Sequence, residues 1–281
     1  MIAPRRARAA WDRFRRNPLT LVGAAILVLE VVIAAIGPAL LGRDPALQGG
    51  VALAGPSARF LLGTDDLGRD LLVRIVNGTG LALIEGVSVV LISMGIGVPL
   101  GALAAYDRRF DDLIMRPTEV MLSVPGLLLA FGLVPLLGAN LVTAIVAASV
   151  SAAPGTVVLT RALVAAIVPA EYVLAARAVG CPSGRILFWH VLPNTSSSLA
   201  VAATFRAGLG ILFVSALSFL GLGAQPPTPE WGAMLSSGRD LLYSAPHVAT
   251  FPGIALGLTI LAFNMLGDGL RDVLDPRTMA R

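Results

Sequence analysis

The stretch that decides the fold reads Glu171-Tyr-Val-Leu-Ala-Ala-Arg-Ala-Val-Gly180, then Cys181-Pro-Ser-Gly184, then Arg185-Ile-Leu-Phe-Trp-His-Val-Leu-Pro193. Residues 170–179 are good or acceptable helix formers, and Gly180 suits the left-handed position that ends many helices. Ser183 can cap a second short helix, which Pro193 stops or kinks. The pattern predicts a helix, a tight turn and a second helix. The first of these, at about 15 Å, is too short to cross a bilayer.

The composition is that of a protein that crosses a membrane several times. Of the 281 residues, 56% are hydrophobic and 14% are charged, whereas about 25% of residues are charged in a typical soluble domain. All basic residues are arginine, and they stand at the edges of apolar runs. That placement fits the positive-inside rule better than a nucleic-acid-binding face. The single cysteine, Cys181, excludes an internal disulfide.

The absence of lysine excludes an ATP site of the P-loop kind, because that motif requires a lysine for the phosphates. If ATP drives this protein, another polypeptide must bind it. The only two histidines, His190 and His247, lie on opposite sides of the predicted topology, so the chain has no zinc site of the His-Glu-x-x-His kind. We therefore expect no catalytic residue, metal or cofactor in this chain.

Six apolar runs predict six membrane-spanning helices. They cover residues 19–41, 81–105, 120–137 and 141–159, and about 201–220 and 249–266. With the N-terminus in the cytoplasm, six spans place the C-terminus there too. Sixteen arginines then lie on the inner side, with Arg206 counted among them, and five lie outside. This asymmetry supports the orientation.

Two groups of acidic residues are candidate sites. Glu30 lies near the middle of the first span, where a carboxylate is a functional candidate, but a hydrogen bond to a neighbouring helix or protonation is the favoured interpretation. Asp65, Asp66 and Asp70 follow Thr64, and their spacing does not match a calcium loop. We interpret Thr64 and these acids as the start of a helix, where acids favour the N-terminal dipole.

The opening stretch resembles the coupling loop of bacterial ATP-binding-cassette importer permeases. The family pattern is Glu-Ala-Ala, three residues, Gly, nine residues, Ile, one residue and Leu-Pro. The matching positions here are Leu174-Ala175-Ala176, Gly180, His190 and Leu192-Pro193. Two of these positions depart from the pattern: Leu174 stands where the family usually has Glu, and His190 stands where it often has Ile. Glu171, one turn before Leu174, is the candidate for a contact similar to that of the usual Glu.

Three further stretches look like the dipeptide/oligopeptide/nickel class of these permeases. They are Leu62-Gly-Thr-Asp-Asp-Leu-Gly-Arg-Asp70, then Ser218–Gly223 with Gln225-Pro226-Pro227, and the C-terminal Leu266–Arg277. The resemblance implies an all-α integral membrane protein with a core of five spans in residues 81–272, including a cytoplasmic coupling loop in residues 162–200. Residues 1–18 are then a cytoplasmic arm, 19–41 an additional first span, 42–80 an extracytoplasmic segment and 273–281 a cytoplasmic tail.

The function implied by this resemblance is that of a permease subunit of an ATP-driven importer in the bacterial cytoplasmic membrane. A second permease subunit completes the pathway, two ATP-binding subunits hold ATP and Mg, and an extracytoplasmic binding protein delivers substrate. The implied ATPase-coupling residues are Glu171, Leu174, Ala175, Ala176, Gly180, Leu192 and Pro193, and no substrate-binding residue is assigned.

Di- or oligopeptides are the first expectation for the substrate, and nickel chelates and glutathione are alternatives within the class. A self-contained secondary transporter is the alternative outside it. Such a transporter needs coupling-ion sites near the midplane of the membrane, where Glu30 is the only carboxylate.

Overall fold

The computed structural model describes residue 15 and residues 17–274, and these are predominantly helical. The helices are α1 (Pro18–Leu41), α2 (Leu71–Tyr106), α3 (Arg108–Ser123), α4 (Gly126–Leu137), α5 (Leu141–Ile167), α6 (Glu171–Ala178), α7 (Ser183–Ile186), α8 (Leu192–Phe219), α9 (Trp231–Gly238) and α10 (His247–Leu274). A π-helical turn, Leu187–Val191, joins α7 to α8. Most of the predicted arm, 1–18, and tail, 273–281, lies outside the described residues.

Five helical segments are long and apolar enough to cross a membrane: α1, α2, α5, the continuous run from α7 to α8, and α10. A sixth span results if α3 and α4, which are bent by 96° against each other, are counted together. Two helices extend beyond the predicted spans. Helix α2 begins at Leu71, ten residues before the predicted span 81–105, and α5 continues to Ile167, past the predicted span 141–159. Apolar runs mark the part of a helix that lipid surrounds, whereas the helix itself extends past it.

The third predicted span, Val120–Leu137, is wrong as a single helix. Helix α3 ends at Ser123, Val124 is extended with φ −101° and ψ 128°, and Pro125 precedes α4. Proline disfavours the helical region for the residue before it and has no amide hydrogen to donate. The chain therefore bends sharply between Val124 and Pro125.

The start of α2 is capped by Asp70, whose Oδ1 accepts from the amides of Leu72 at 3.0 Å and Val73 at 3.5 Å. Asp65 does not cap a helix as predicted, because no helix begins there. Its Oδ1 accepts from the amides of Leu67 at 3.0 Å and Arg69 at 2.9 Å, and its Oδ2 accepts from Arg69 Nε at 2.6 Å and lies 3.5 Å from Arg74 Nε. Buried carboxylates need such partners to offset their lost hydration. These ion pairs hold the segment before α2 against its first turn.

Helices α2 and α5 form the most extensive helix–helix contact in the described part of the chain. They cross at Gly97 and Gly101, which are buried one turn apart on α2. A Cβ atom at Gly97 would collide with the side chain of Thr156, and one at Gly101 would collide with the carbonyl oxygen of Val157. Small residues permit this close approach of backbones in lipid.

Helix α1 packs on the outside of the bundle, against α10 and α2. Gly23 of α1 lies against the backbone of Ala262 and the side chain of Met265 in α10. At the end of α10, Asp272 Oδ2 accepts from Asn17 Nδ2 at 3.1 Å. These contacts make α1 an addition to the other spans, in agreement with the sequence.

We predict that Gly97→Ala lowers the free energy of unfolding by about 1–3 kcal/mol, the range found for overpacked contacts. The matched control is Gly95→Ala on the same helix, where a Cβ meets nothing within 4 Å. That control should be neutral or stabilising by up to about 1 kcal/mol, because alanine favours helix more than glycine does. Unfolding by SDS in mixed micelles measures both. Equal stability of the two variants would contradict the proposed close contact.

Candidate functional site

The segment singled out in the sequence folds as a short helix, α6, that ends at a left-handed glycine. Gly180 has φ +81°, as predicted. Its amide donates to Arg177 O at 3.0 Å, and the amide of Cys181 donates to Ala176 O at 3.1 Å. This pair of hydrogen bonds is the Schellman arrangement, in which the left-handed residue satisfies the last carbonyls of the helix.

The second half of the segment differs from the prediction at both ends. Pro182 is the residue before α7, and Ser183 is its first helical residue without a capping hydrogen bond from its side chain. Pro193 does not stop the helix, since it is the second residue of α8. Proline is tolerated in a first turn because its missing amide has no partner there. In the preceding π-helical turn, Leu192 N donates to Leu187 O, and α7 and α8 form one continuous helical run that includes Pro193.

A group of apolar residues fastens this segment to the spanning helices. We call it the inner cluster, and its members are each at most 1% exposed: Ala102 of α2, Val164 of α5, Val173 of α6, Ile186 of α7 and Val191. Four helices and the π-helical turn therefore share one packed contact. A movement imposed on α6 reaches α2 and α5 directly through it, because packed interiors transmit strain.

The opposite face of α6 is exposed. Glu171, Leu174, Ala175 and Ala178 follow the spacing i, i+3, i+4 and i+7, which places them on one side of the helix, and all four are exposed. Three of these are predicted coupling residues. The structure thus brings Glu171 and Leu174 together on one outward face, with a small alanine beside them.

The remaining predicted residues occupy other positions. Ala176 is only partly exposed and packs against the inner cluster, so it does not lie on the outward face with Ala175. Leu192 also packs against the cluster, while Pro193 is exposed. Next to Ala176, the guanidinium of Arg177 stacks over the ring of Tyr106, 5.6 Å from its centroid, and ties α6 to the end of α2.

Large apolar side chains are exposed in the same segment. Leu174 is 48% exposed, Val179 80%, Phe188 66% and Trp189 76%. Contiguous exposed apolar surface on a rigid element is typical of a protein- or membrane-contact site. The segment therefore combines a fixed inner side with an apolar outer one.

A second candidate site lies between α5 and α8. It is a cavity of about 400 Å³. We call it the α5–α8 cavity, and its lining includes Ser151, Ala152 and Gly155 of α5 and Arg206, Leu209 and Phe213 of α8. Its lining is mostly apolar, with small residues on the α5 side. Pockets of this size and character are typical of small-molecule sites.

This cavity was not predicted from the sequence, and one of its residues, Arg206, was expected at a different position. Arg206 was counted among the inner arginines, whereas it lies at the middle of α8. Its Nη1 donates to Ala152 O at 3.0 Å. The signal was present in the sequence, since Arg206 falls within the predicted fifth span, 201–220, where a charged residue is functional by default.

Glu30 has the partner that the favoured interpretation required. Its side chain is buried, and Oε1 accepts from Thr259 Oγ1 of α10 at 2.6 Å. The carboxyl group thus contributes to the packing of α1 on α10. No group of three His, Cys, Asp or Glu side chains among the described residues is arranged to hold a metal ion.

On the transport function that the sequence resemblance implies, we predict that Glu30→Gln leaves uptake within about two-fold of wild type, because the amide oxygen of glutamine can still accept from Thr259. As a control, Thr259→Val removes the donor and should lower thermal stability more than Glu30→Gln does. Uptake by reconstituted vesicles and melting in detergent measure the two effects. A steep loss of uptake by Glu30→Gln at normal stability would support proton coupling through this acid instead.

Comparisons with known proteins agree on one family. The family model described as binding-protein-dependent transport system inner membrane component matches residues 97–280. A second model, the N-terminal TM domain of oligopeptide transport permease C, matches residues 6–56. The two models cover the first helix and the chain from the last part of α2 onward, and residues 57–96 lie between them.

Individual relatives cover nearly the whole chain. A di/tripeptide transport system permease protein of Pseudomonas aeruginosa is 42% identical and covers 99% of this chain and 94% of its own. A glutathione transport system permease protein of Pectobacterium atrosepticum is 41% identical over 96% of this chain and 91% of its own. Among solved structures, an inward-facing methionine ABC transporter chain matches with a TM-score of 0.60 and 21% identity, over 72% of this chain and 96% of that one. The last match concerns the fold alone.

Proposed function

The chain belongs to the family of binding-protein-dependent transport system inner membrane components, and on that premise we propose that it is the permease subunit of an ATP-driven importer of di- or oligopeptides. The observation that carries the proposal is the similarity over nearly the whole chain to a di/tripeptide permease. Nearly equal similarity to a glutathione permease supports glutathione, itself a small peptide, as the alternative substrate.

The absence of lysine from this chain decides which subunits of the proposed importer bind ATP. Without lysine it has no P-loop, so ATP and Mg belong to two partner subunits in the cytoplasm. This chain forms half of the pathway, a second permease subunit forms the other half, and a binding protein delivers the substrate from outside. Both termini lie on the cytoplasmic side of the inner membrane.

Coupling to ATP occurs at the outward face of α6. The small side chain of Ala175 lets an ATPase surface approach closely, and Glu171 supplies the acidic contact that Leu174 cannot. The inner cluster then passes the displacement of α6 to α2 and α5. Such a contact needs two discrete arrangements, one for each access state of the pathway.

We predict that Ala175→Asp abolishes ATP-dependent dipeptide uptake and weakens co-purification of the ATPase subunits, because it adds bulk and an unpaired charge to a contact that excludes water. The matched control is Ala52→Asp, the same change at an exposed alanine in the segment before α2. It should leave ATPase co-purification unchanged.

Wild-type vesicles supply the reference for this experiment. Uptake that continues without the ATPase subunits and follows an imposed proton gradient would contradict the importer and support a secondary transporter. Normal uptake and normal co-purification with Ala175→Asp would leave the importer in place but contradict the assignment of coupling to α6.

The proposed orientation predicts which positions an impermeant maleimide reaches in intact cells. Leu61→Cys and Tyr243→Cys, made in a Cys181→Ser background, should be labelled, since both side chains are well exposed in the outer segments. The native Cys181, which is partly exposed, should be labelled only after the cells are opened. Labelling of Cys181 in intact cells would contradict the proposed orientation and indicate the opposite one.

A further inference from the structure

Arg206 offers a charged group to the α5–α8 cavity. We propose that it binds the terminal carboxylate of the peptide as the peptide passes through the membrane, an inference that rests on the proposed function. The proposal assigns the cavity to the translocation pathway and its ligand to a chemical class: a small anionic or zwitterionic solute that bears a free carboxylate.

Arg206 carries its charge inside a membrane-spanning helix. Helix α8 spans Leu192–Phe219, and Arg206 lies about 20 Å from either end at 1.5 Å per residue. Within the predicted span, 201–220, it lies about 8 Å from the inner end, and an arginine inside a span is among the costliest residues to place in lipid. Such residues face a cavity or a partner, and Arg206 faces the α5–α8 cavity.

Arg206 differs from two other arginines near the helix bundle in its lack of a carboxylate counter-ion within the described residues. Arg161 of α5 makes two hydrogen bonds to the carboxylate of Asp111, at 2.6 and 2.5 Å, and Arg74 of α2 lies 3.5 Å from that of Asp65. In the described part of the chain, Arg206 has a hydrogen bond to the carbonyl of Ala152 and no carboxylate partner. Its remaining donors are therefore available to an anion that enters the cavity.

The lining of the α5–α8 cavity suits a carboxylate that is attached to side chains of different shapes. The planar guanidinium fork matches a carboxylate and binds it with two parallel hydrogen bonds. Ala152 and Gly155 have small side chains, so the guanidinium lies close to the backbone of α5: a Cβ at Gly155 would lie 3.5 Å from Arg206 Nη2. Leu209 and Phe213 provide apolar walls that accept varied side chains. The cavity thus recognises the group that peptides share and tolerates the parts in which they differ.

The test uses the complete complex in vesicles with a mixture of radiolabelled dialanine and S-methylglutathione, which lacks the free thiol that would consume the methanethiosulfonates and reduce their adducts. Arg206→Cys is made in a Cys181→Ser background and treated with an aminoethyl or a methyl methanethiosulfonate, which attach a cationic or a neutral group. We expect the cationic adduct to restore uptake at least about ten-fold over the neutral one, because a charge-assisted hydrogen bond is lost in the latter. The peptides should also slow the modification of the introduced thiol.

Several outcomes overturn the inference. Equal uptake with both adducts, or a thiol that the reagents do not reach, removes Arg206 from the pathway. Rescue by the cationic adduct without protection by the peptides assigns its anion to a lipid phosphate.

A second comparison keeps the test decisive if Arg206→Cys assembles poorly. Arg206→Lys, which keeps the charge but loses the paired hydrogen bonds, should retain part of the uptake, and Arg206→Gln should lose it. The control Arg239→Gln changes an exposed arginine outside the spanning helices and should be silent. If the second permease is lost from the complex with Arg206→Gln but not with Arg239→Gln, the counter-ion belongs to that subunit and the inference is overturned. Absence of ATP-dependent uptake by the wild type would instead count against the proposed function itself.

Discussion

The crossing of α2 and α5 is the contact on which the other features depend. Gly97 and Gly101 let the two helices meet backbone to backbone. On one side of this crossing, the pair contributes Ala102 and Val164 to the inner cluster. On the other side, Val89 and Ala148 border the α5–α8 cavity. Because a larger residue at the crossing would separate the helices, a single packing constraint positions both candidate sites.

This arrangement gives a physical route between the two sites. Val173 fixes α6 to the inner cluster, and the cluster includes residues of α2 and α5. A tilt that a partner imposed on α6 would act at this cluster on α2 and α5, the two helices that also contribute residues to the lining of the α5–α8 cavity. Close packing favours two discrete arrangements over continuous deformation, which is what alternating access requires. The exposed apolar side chains around α6 supply the surface on which a partner can act.

The sequence was sufficient for features that depend on local chemistry and insufficient for those that depend on tertiary contact. Hydropathy found the spans, and the conformational freedom of glycine located the left-handed residue Gly180. The bend before α4 was missed although Pro125 is local, because the apolar run continues across it and hides the break. The pairing of Asp65 with Arg74 and the inward side of Ala176 follow from the packing of distant segments, which no pattern in one sequence reveals. Arg206 could be recognised from the sequence as a charged residue inside a span, but the role proposed for it rests on the cavity that it lines.

Glu30 and Arg206 show how the surroundings of a charged residue decide its role. Both lie in spanning helices, and a polar group in lipid must find a partner within the protein. Glu30 finds Thr259 on the neighbouring helix, so its carboxyl group joins two elements. Arg206 finds only the carbonyl of Ala152 among the described residues, and its guanidinium borders open space. Glu85 also lacks a hydrogen-bond partner there, yet it is fully buried and does not line the α5–α8 cavity. Access to a cavity, in addition to the missing partner, therefore distinguishes a group that awaits a ligand from one that is enclosed in the packing.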